Sequence, residues 1–347
     1  MRKVIIVGGI PKPIGGVTSY IYRLASLFPF LFEEIWDIYP SSDKSTIKDV
    51  KISFFKRLYD IKLLFRLIKL NNIIFHFNFS TQYSLVRFIF LFKRKNVNWV
   101  LTLHNGNLST KYHNLKVVCY FYRWILTRFD SVMVLSELQK DFYLACGVPV
   151  SKLHMINSFV PPSVSMSNSL NELPNNFKKF MQQNSGRKLL MMNGYCKPFY
   201  RFEDGVDFTI ENEMTCLVVV LYGSTDKQYL LSLKNKAQAS TRVLFMEGVE
   251  HDTFLSMLSL VDMYLRPNTV DSFGIAVADA ICLGKLAIAS DICQRFEGAI
   301  TFKTGDTMAM KQLLTHSLHT QLTSHDKFQR SKYCKELLSR YELLYKK

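Results

Sequence analysis

The sequence predicts an α/β protein of two doubly wound domains, each a parallel sheet covered by helices on both faces. Three observations carry this. Short apolar, β-branched runs alternate with longer helical patterns along the whole chain, as expected of parallel strands buried on both faces. The 347 residues exceed one ordinary core but suit two domains of roughly 150–170 residues. A polar, turn-rich stretch, Pro161-Pro-Ser-Val-Ser-Met-Ser-Asn-Ser169, lies between two sets of strand candidates and reads as a linker.

In chain order, the first domain is expected over 1–165. Its strand candidates are Val4–Val7, Ile73–Phe77, Trp99–Leu103, Val132–Leu135 and His154–Ile156. After the first strand, Gly8-Gly9 and Gly15-Gly16 lead into an amphipathic helix that turns Val17, Tyr20, Ile21, Leu24, Leu27 and Phe28 inward. A cationic amphipathic helix is expected within Phe55–Lys69. The second domain, over 166–325, offers Leu189–Met192, Leu217–Leu221, Val243–Phe245, Met263–Leu265 and Leu286–Ala289. Polar or glycine-rich residues follow nearly every strand, and in open α/β sheets ligands bind beyond the carboxyl ends of the strands. The expected site is therefore a cleft between two such rims.

Charge and cysteine usage bound the partners. The formal net charge is +16, and ten basic residues against one acid, Asp60, fall between Lys51 and Lys95. An anionic membrane surface is the natural partner of such a face, the alternative being a solvated basic face on an ordinary sheet-covering helix. No nucleic-acid-binding motif accompanies the charge, so nucleic acid is not expected. The seven scattered cysteines lack any Cys-x-x-Cys pair, which argues for a reducing cytosol and against a zinc site. His316 and His319 share a helical face without a third ligand nearby, and His76 and His113 read as structural. The first apolar run is too short for a signal peptide and no stretch is long enough to span a bilayer. A cytoplasmic, peripherally attached protein is expected.

The densest cluster of chemistry is Leu265–Asp291. It reads as a strand end, a polar loop, a short helix of small residues stopped by Gly284, and a buried strand ending in Ser-Asp. Asp271 and Asp279 stand eight residues apart around a Ser-Phe-Gly turn. Ser272 is placed to cap a helix starting at Phe273, whose first amides, with Gly274, suit hydroxyls or phosphate oxygens. Carboxylates suit vicinal sugar hydroxyls, so an acid at each end fits a bound nucleotide and its sugar. The alternative is a capping acid plus a buried helix acid.

This block resembles the acid-x7-acid signature of the family 4 retaining glycosyltransferases, with Asp in place of both usual Glu residues. The Gly-Gly opening, the His104 strand end, Val134-Leu-Ser-Glu137, Met155-Ile-Asn157 and Phe245-Met-Glu-Gly248 follow in the family's order. The resemblance implies a GT-B fold, with a C-terminal helix over 326–347 returning to the first domain. It implies transfer of a sugar, with retention, from a nucleotide sugar to a glycan, with a lipid-linked acceptor and bacterial O-antigen or capsule synthesis as the expected context. The runner-up is a catalytically silent nucleotide- or glycan-binding subunit.

The resemblance also implies roles. Asp271 would hold the donor sugar and Asp279 the ribose, while His104, followed by Asn105, would lie near the transferred sugar. Gly15 and Gly16 would line the phosphate and acceptor loop, although a plain tight turn fits them too. The family's usual Arg/Lys pair for the donor diphosphate is missing, since those places read Gly194-Tyr195 and Asp204-Gly205. Lys197 and Arg201 are the expected substitutes, with Arg266 a further donor-binding cation. No cofactor and no metal are expected.

Overall fold

The computed structural model describes residues 3–11, 15–39, 46–56, 60–104, 116–156, 159–162, 173–238, 240–271, 273–319 and 328–346. The chain divides into two units, one of residues 1–163 with 331–347 and one of 164–330.

The first unit is built on a seven-stranded, all-parallel sheet. Its strands are β1 (Lys3–Gly8), β2 (Glu34–Asp37), β3 (Lys51–Phe54), β4 (Ile73–Phe79), β5 (Val97–Leu103), β6 (Ser131–Val134) and β7 (Leu153–Met155). They lie in the order β3-β2-β1-β4-β5-β6-β7. The period of two along each strand divides the core. Ile5, Val7, Phe75, Phe77, Phe79, Trp99 and Leu101 face one apolar layer, which α2 (Ile61–Lys69), α3 (Lys116–Leu126) and α4 (Glu137–Ala145) cover. Val4, Ile6, Ile74, Val100 and Met133 face the other, covered by α1 (Gly16–Leu27) and the terminal helix α11 (Arg330–Lys346).

α11 is part of this core. Leu337, Tyr341, Leu344 and Tyr345 are buried in it. On the same strand face, His76 is fully buried, with Nδ1 2.7 Å from the Tyr345 hydroxyl and Nε2 2.8 Å from Thr102 Oγ1. Loss of hydration, and secondarily the nearby His104, push its pKa down to about 3, so the ring is neutral. The Tyr20 and Tyr341 hydroxyls also bond to one another. These contacts satisfy the polar groups that the helix brings into an apolar layer.

Two strands here were not legible in the sequence. Glu34–Asp37 is short and carries an acid at each end, and Lys51–Phe54 is an edge strand. Glu34 is buried because Arg66 reaches it (Nη2–Oε2 2.8 Å) while lying 4.9 Å above the Trp36 ring. Burial alone would raise the Glu34 pKa, but hydrogen bonds from Ser53, Trp36 and Arg66 outweigh it and hold the carboxyl low. The expected cationic helix is confined to α2, capped by the Asp60 carboxylate on the Lys62 amide at 2.9 Å. Arg66 thereby leaves the basic face.

The second unit holds a six-stranded parallel sheet. Its strands are β8 (Lys188–Gly194), β9 (Thr215–Leu221), β10 (Val243–Glu247), β11 (Met263–Arg266), β12 (Leu286–Ser290) and β13 (Ile300–Phe302). Their order is β10-β9-β8-β11-β12-β13. One face packs on α5 (Asn175–Gln183), α8 (His251–Leu258) and α9 (Ile275–Cys282). The other packs on α6 (Phe202–Glu211), α7 (Lys227–Ala237) and α10 (Thr307–Ser317). β13 is only three residues long and was not anticipated. The cysteines are free, and among the described residues no helix is long and apolar enough to cross a membrane.

Candidate active site

In the second sheet the chain order reverses between β8 and β11, the position where open α/β sheets bind ligands. Arg266 ends β11 at this point, and it is buried. Its guanidinium meets Asp271 through Nε at 2.5 Å and Nη2 at 3.0 Å, and lies over the Tyr200 ring at 5.5 Å. Arg295, from the loop after β12, reaches the same carboxylate with Nη1, 2.6 Å from Oδ2. Its Nε donates to Ser290 O at 2.8 Å, Nη2 to Ser290 Oγ at 3.2 Å and Nη1 to Phe273 O at 3.3 Å. The side chains of Arg266, Asp271 and Arg295 are 8%, 7% and 3% exposed. Burial pushes the Asp271 pKa up, but bonds and charge from the two arginines prevail and hold it at about 2.

Around this cluster the backbone is tightly placed. Gly274 caps α9 with φ of 77°, and a Cβ there would fall 2.5 Å from Arg295 Nη1. α9 therefore begins at Ile275 with Gly274 as its cap, which corrects the expected start at Phe273. Ser272 and Asn105 lie outside the described residues. Gly194, at the end of β8, stands where a Cβ would meet the Tyr200 ring. Tyr264 donates to Asn193 Oδ1 at 2.5 Å, linking the two strands that flank the reversal.

The structure treats the expected donor residues unequally. Asp271, expected as an acceptor for sugar hydroxyls, is locked between two guanidiniums. Asp279 is 1% exposed within α9, so its carboxylate is not presented at the surface. Arg201 was expected to offer its charge to the donor. Instead its Nε and Nη2 grip Asp204 at 2.6 and 2.7 Å, because a left-handed φ of 52° turns it onto the first turn of α6. Lys197 stays at the partly exposed turn before Pro198, on the loop whose Phe199 carbonyl accepts from Thr269 N–H at 2.9 Å. Arg295 was missed. Its only sequence signal is a basic residue five positions beyond a strand end, which no motif marks.

In the first sheet the order reverses between β1 and β4. Gly8 ends β1 so close to Ile21 that a Cβ would sit 2.4 Å from Cδ1. Gly15 caps α1 and, with Gly16, is exposed, whereas Val17 and Thr18 behind them are buried. His104 follows β5, with its N–H on Phe79 O at 2.8 Å and Nε2 3.1 Å from Asn78 Oδ1. Asn78 Nδ2 donates to His76 O, which fixes the amide orientation and assigns the His104 proton to Nε2. Nδ1 is then the hydrogen-bond acceptor. The ring stands edge-on to Tyr20 at 4.7 Å, and desolvation shifts its pKa down to about 3. A neutral imidazole here acts as a polar contact rather than a cation.

His113 lies outside the described residues. Among the described residues no group of three or more His, Cys, Asp or Glu is placed to hold a metal ion. A cavity of about 560 Å³ lies instead at the amino ends of the second sheet, lined in part by Asn184, Arg187 and Arg242. Those arginines donate to main-chain carbonyls between Thr209 and Thr215 and so close off chain ends.

The fold is that of the GT-B glycosyltransferases, and the comparisons with known proteins support a transferase. Residues 210–307, which include Arg266, Asp271 and Arg295, match the family described as glycosyl transferases group 1. The O-antigen biosynthesis glycosyltransferase WclY of Escherichia coli is 23% identical over 263 residues, covering 71% of each chain. Among solved structures, TarM superposes with a TM-score of 0.70 at 12% identity, covering 100% of this chain and 99% of its own. HepE of Anabaena, solved with UDP and glucose, superposes at 0.65 with 12% identity, covering 100% and 99%. The UDP-forming α,α-trehalose-phosphate synthase of Burkholderia xenovorans gives 0.68 at 10% identity, covering 99% of each. At these identities the structural likenesses establish the fold.

Proposed function

We propose that the protein transfers a sugar, with retention of configuration, from a nucleotide sugar to a lipid-linked glycan in bacterial surface polysaccharide synthesis, O-antigen being the favoured context. The observation that carries this is the coincidence of the matched segment with a buried Arg-Asp-Arg cluster at the strand reversal. Cations held in a poorly hydrated site favour a departing diphosphate, and no covalent nucleophile or metal is required in this reading. WclY supplies the O-antigen context, and HepE, solved also with UDP-glucose, makes UDP the first nucleotide to try.

Thermal unfolding with UDP, GDP and ADP tests the donor half. A nucleotide at one hundred times its Kd should stabilise the fold by about 2.7 kcal/mol. Absence of protection by all three, together with no transfer from any labelled nucleotide sugar, would sink the proposal. Protection without transfer to any glycan would favour the silent binding subunit, a reading that the double pairing of Asp271 makes concrete.

The same reading places the first unit on an anionic membrane. Ile61, Phe65 and Ile68 form an exposed apolar stripe on α2, and Phe54 and Phe92 are also exposed. Lys62, Lys69 and Lys95 are exposed on the same stretches, whereas Lys93 is bound to Asp130 at 2.5 Å. Binding to vesicles should rise with anionic lipid and fall with salt, at about 1 kcal/mol per basic residue near the surface. Replacing Lys62, Lys69 and Lys95 with Gln should release most of the bound protein. Equal binding to neutral and anionic vesicles would reject this placement.

A further inference from the structure

We infer that Asp271 is the resident counter-anion of a diphosphate site made by Arg266 and Arg295, and that an incoming diphosphate oxygen takes over Arg295 from it. This rests on the reading that the donor diphosphate enters at the β8–β11 reversal. It assigns Arg295 to ligand binding and gives Asp271 a task other than holding sugar hydroxyls.

Three observations converge. The first is charge balance. Two other buried carboxylates each meet a single guanidinium, Glu34 with Arg66 (and Lys51 at 3.8 Å) and Asp204 with Arg201. Here one carboxylate is shared by two, all three side chains being at most 8% exposed. One positive charge is left over where hydration cannot compensate it, and such a place favours a second anion.

The second is the asymmetry of the two contacts. Arg266 holds Asp271 through two nitrogens, Nε and Nη2. Arg295 holds it through Nη1 alone, on the Oδ2 that Arg266 Nε already occupies. The Arg295 contact is therefore the replaceable one. Its remaining bonds, to Ser290 and Phe273 O, keep the guanidinium in place when the carboxylate leaves.

The third is an unfilled side-chain donor on a residue whose main chain joins the same network. Asn268 is 1% exposed, and its Nδ2 finds no partner among the described residues. Its main-chain carbonyl accepts from Ser290 Oγ at 2.6 Å, the hydroxyl that Arg295 Nη2 also approaches. A buried donor is rarely left unpaired, and an anion held by Arg295 would bring acceptor oxygens to this network.

Inorganic pyrophosphate and a nucleoside diphosphate, titrated separately by calorimetry and thermal unfolding, test the inference on the intact chain. Arg295→Gln should weaken pyrophosphate binding at least tenfold. Asp271→Asn removes the competing carboxylate, so pyrophosphate should raise its unfolding temperature more than it raises that of the wild type. A purely structural Arg295 predicts neither effect. Unchanged pyrophosphate affinity in Arg295→Gln overturns the inference, as does an Asp271→Asn protein that pyrophosphate stabilises no more than the wild type. Should Arg295→Gln fail to fold, the Asp271→Asn comparison decides alone. A nucleoside diphosphate that binds wild type and Arg295→Gln equally refutes the inference and leaves the donor reading standing. Pyrophosphate binding that depends on Arg295, with no nucleoside diphosphate bound, does the reverse.

Discussion

Asp271→Ala is expected to destabilise the second unit by about 3–5 kcal/mol, the usual effect of removing one partner from a buried ion pair. The cause is the pair of guanidiniums left facing one another with side chains 8% and 3% exposed. An exposed pair such as Lys3–Glu33 should contribute less than about 1 kcal/mol when broken. The carboxylate also sets an acid dependence. Its folded pKa of about 2 lies below the ordinary 3.8. Its contribution, on the order of 2 kcal/mol, is therefore complete above pH ~4 and is lost as pH falls toward ~2. Urea unfolding between pH 2 and 5 measures both effects. A variant with wild-type stability at pH 7, or an unchanged acid slope, would count against the pairing.

Removing α11 by ending the chain after Phe328 should unfold the first unit. Leu337, Tyr341, Leu344 and Tyr345 are at most 6% exposed against the sheet face of Val4, Ile6, Ile74 and Val100. At roughly 1.5–3 kcal/mol for each large buried side chain, the four contribute about 6–12 kcal/mol. That matches the whole net stability of an ordinary domain, about 5–15 kcal/mol. His76 would also lose the Tyr345 hydroxyl on Nδ1. Far-ultraviolet dichroism and binding of an apolar dye report the outcome. The second unit, whose core holds no residue of α11, should keep its own unfolding transition. A truncated first unit with a wild-type midpoint would show that the helix is dispensable.

Much of this architecture is legible without coordinates because its causes are local. A run such as Ile73-Ile-Phe-His-Phe77 is too short and apolar for a surface helix, so it must be an interior strand. The heptad-like spacing of Val17, Tyr20, Ile21 and Leu24 makes the helix after Gly16 equally plain. The short strands escape because their signals are not local. Glu34–Asp37 is interior only because Arg66, from another element, neutralises Glu34, and Lys51–Phe54 is held at the edge by pairing with it. The helix after Asp271 was placed two residues early, because the αL conformation of Gly274 follows from its surroundings as well as from its identity.

The candidate site divides along the same line. The sequence by itself determined where chemistry could gather: glycines and polar residues beyond strand ends, an acid in the loop after Arg266, a histidine after β5. These follow from backbone periodicity and from the residue types that turns and helix starts accept. Which charge meets which was decided only by the tertiary structure. Arg201, the expected cation, turns to an acid three residues away, while Arg295, marked by no pattern, crosses 24 positions to reach Asp271. Hydrophobic periodicity is written into neighbouring residues, whereas an ion pair forms between whatever groups the packed sheet brings within reach and deprives of water. No local window of sequence contains that information.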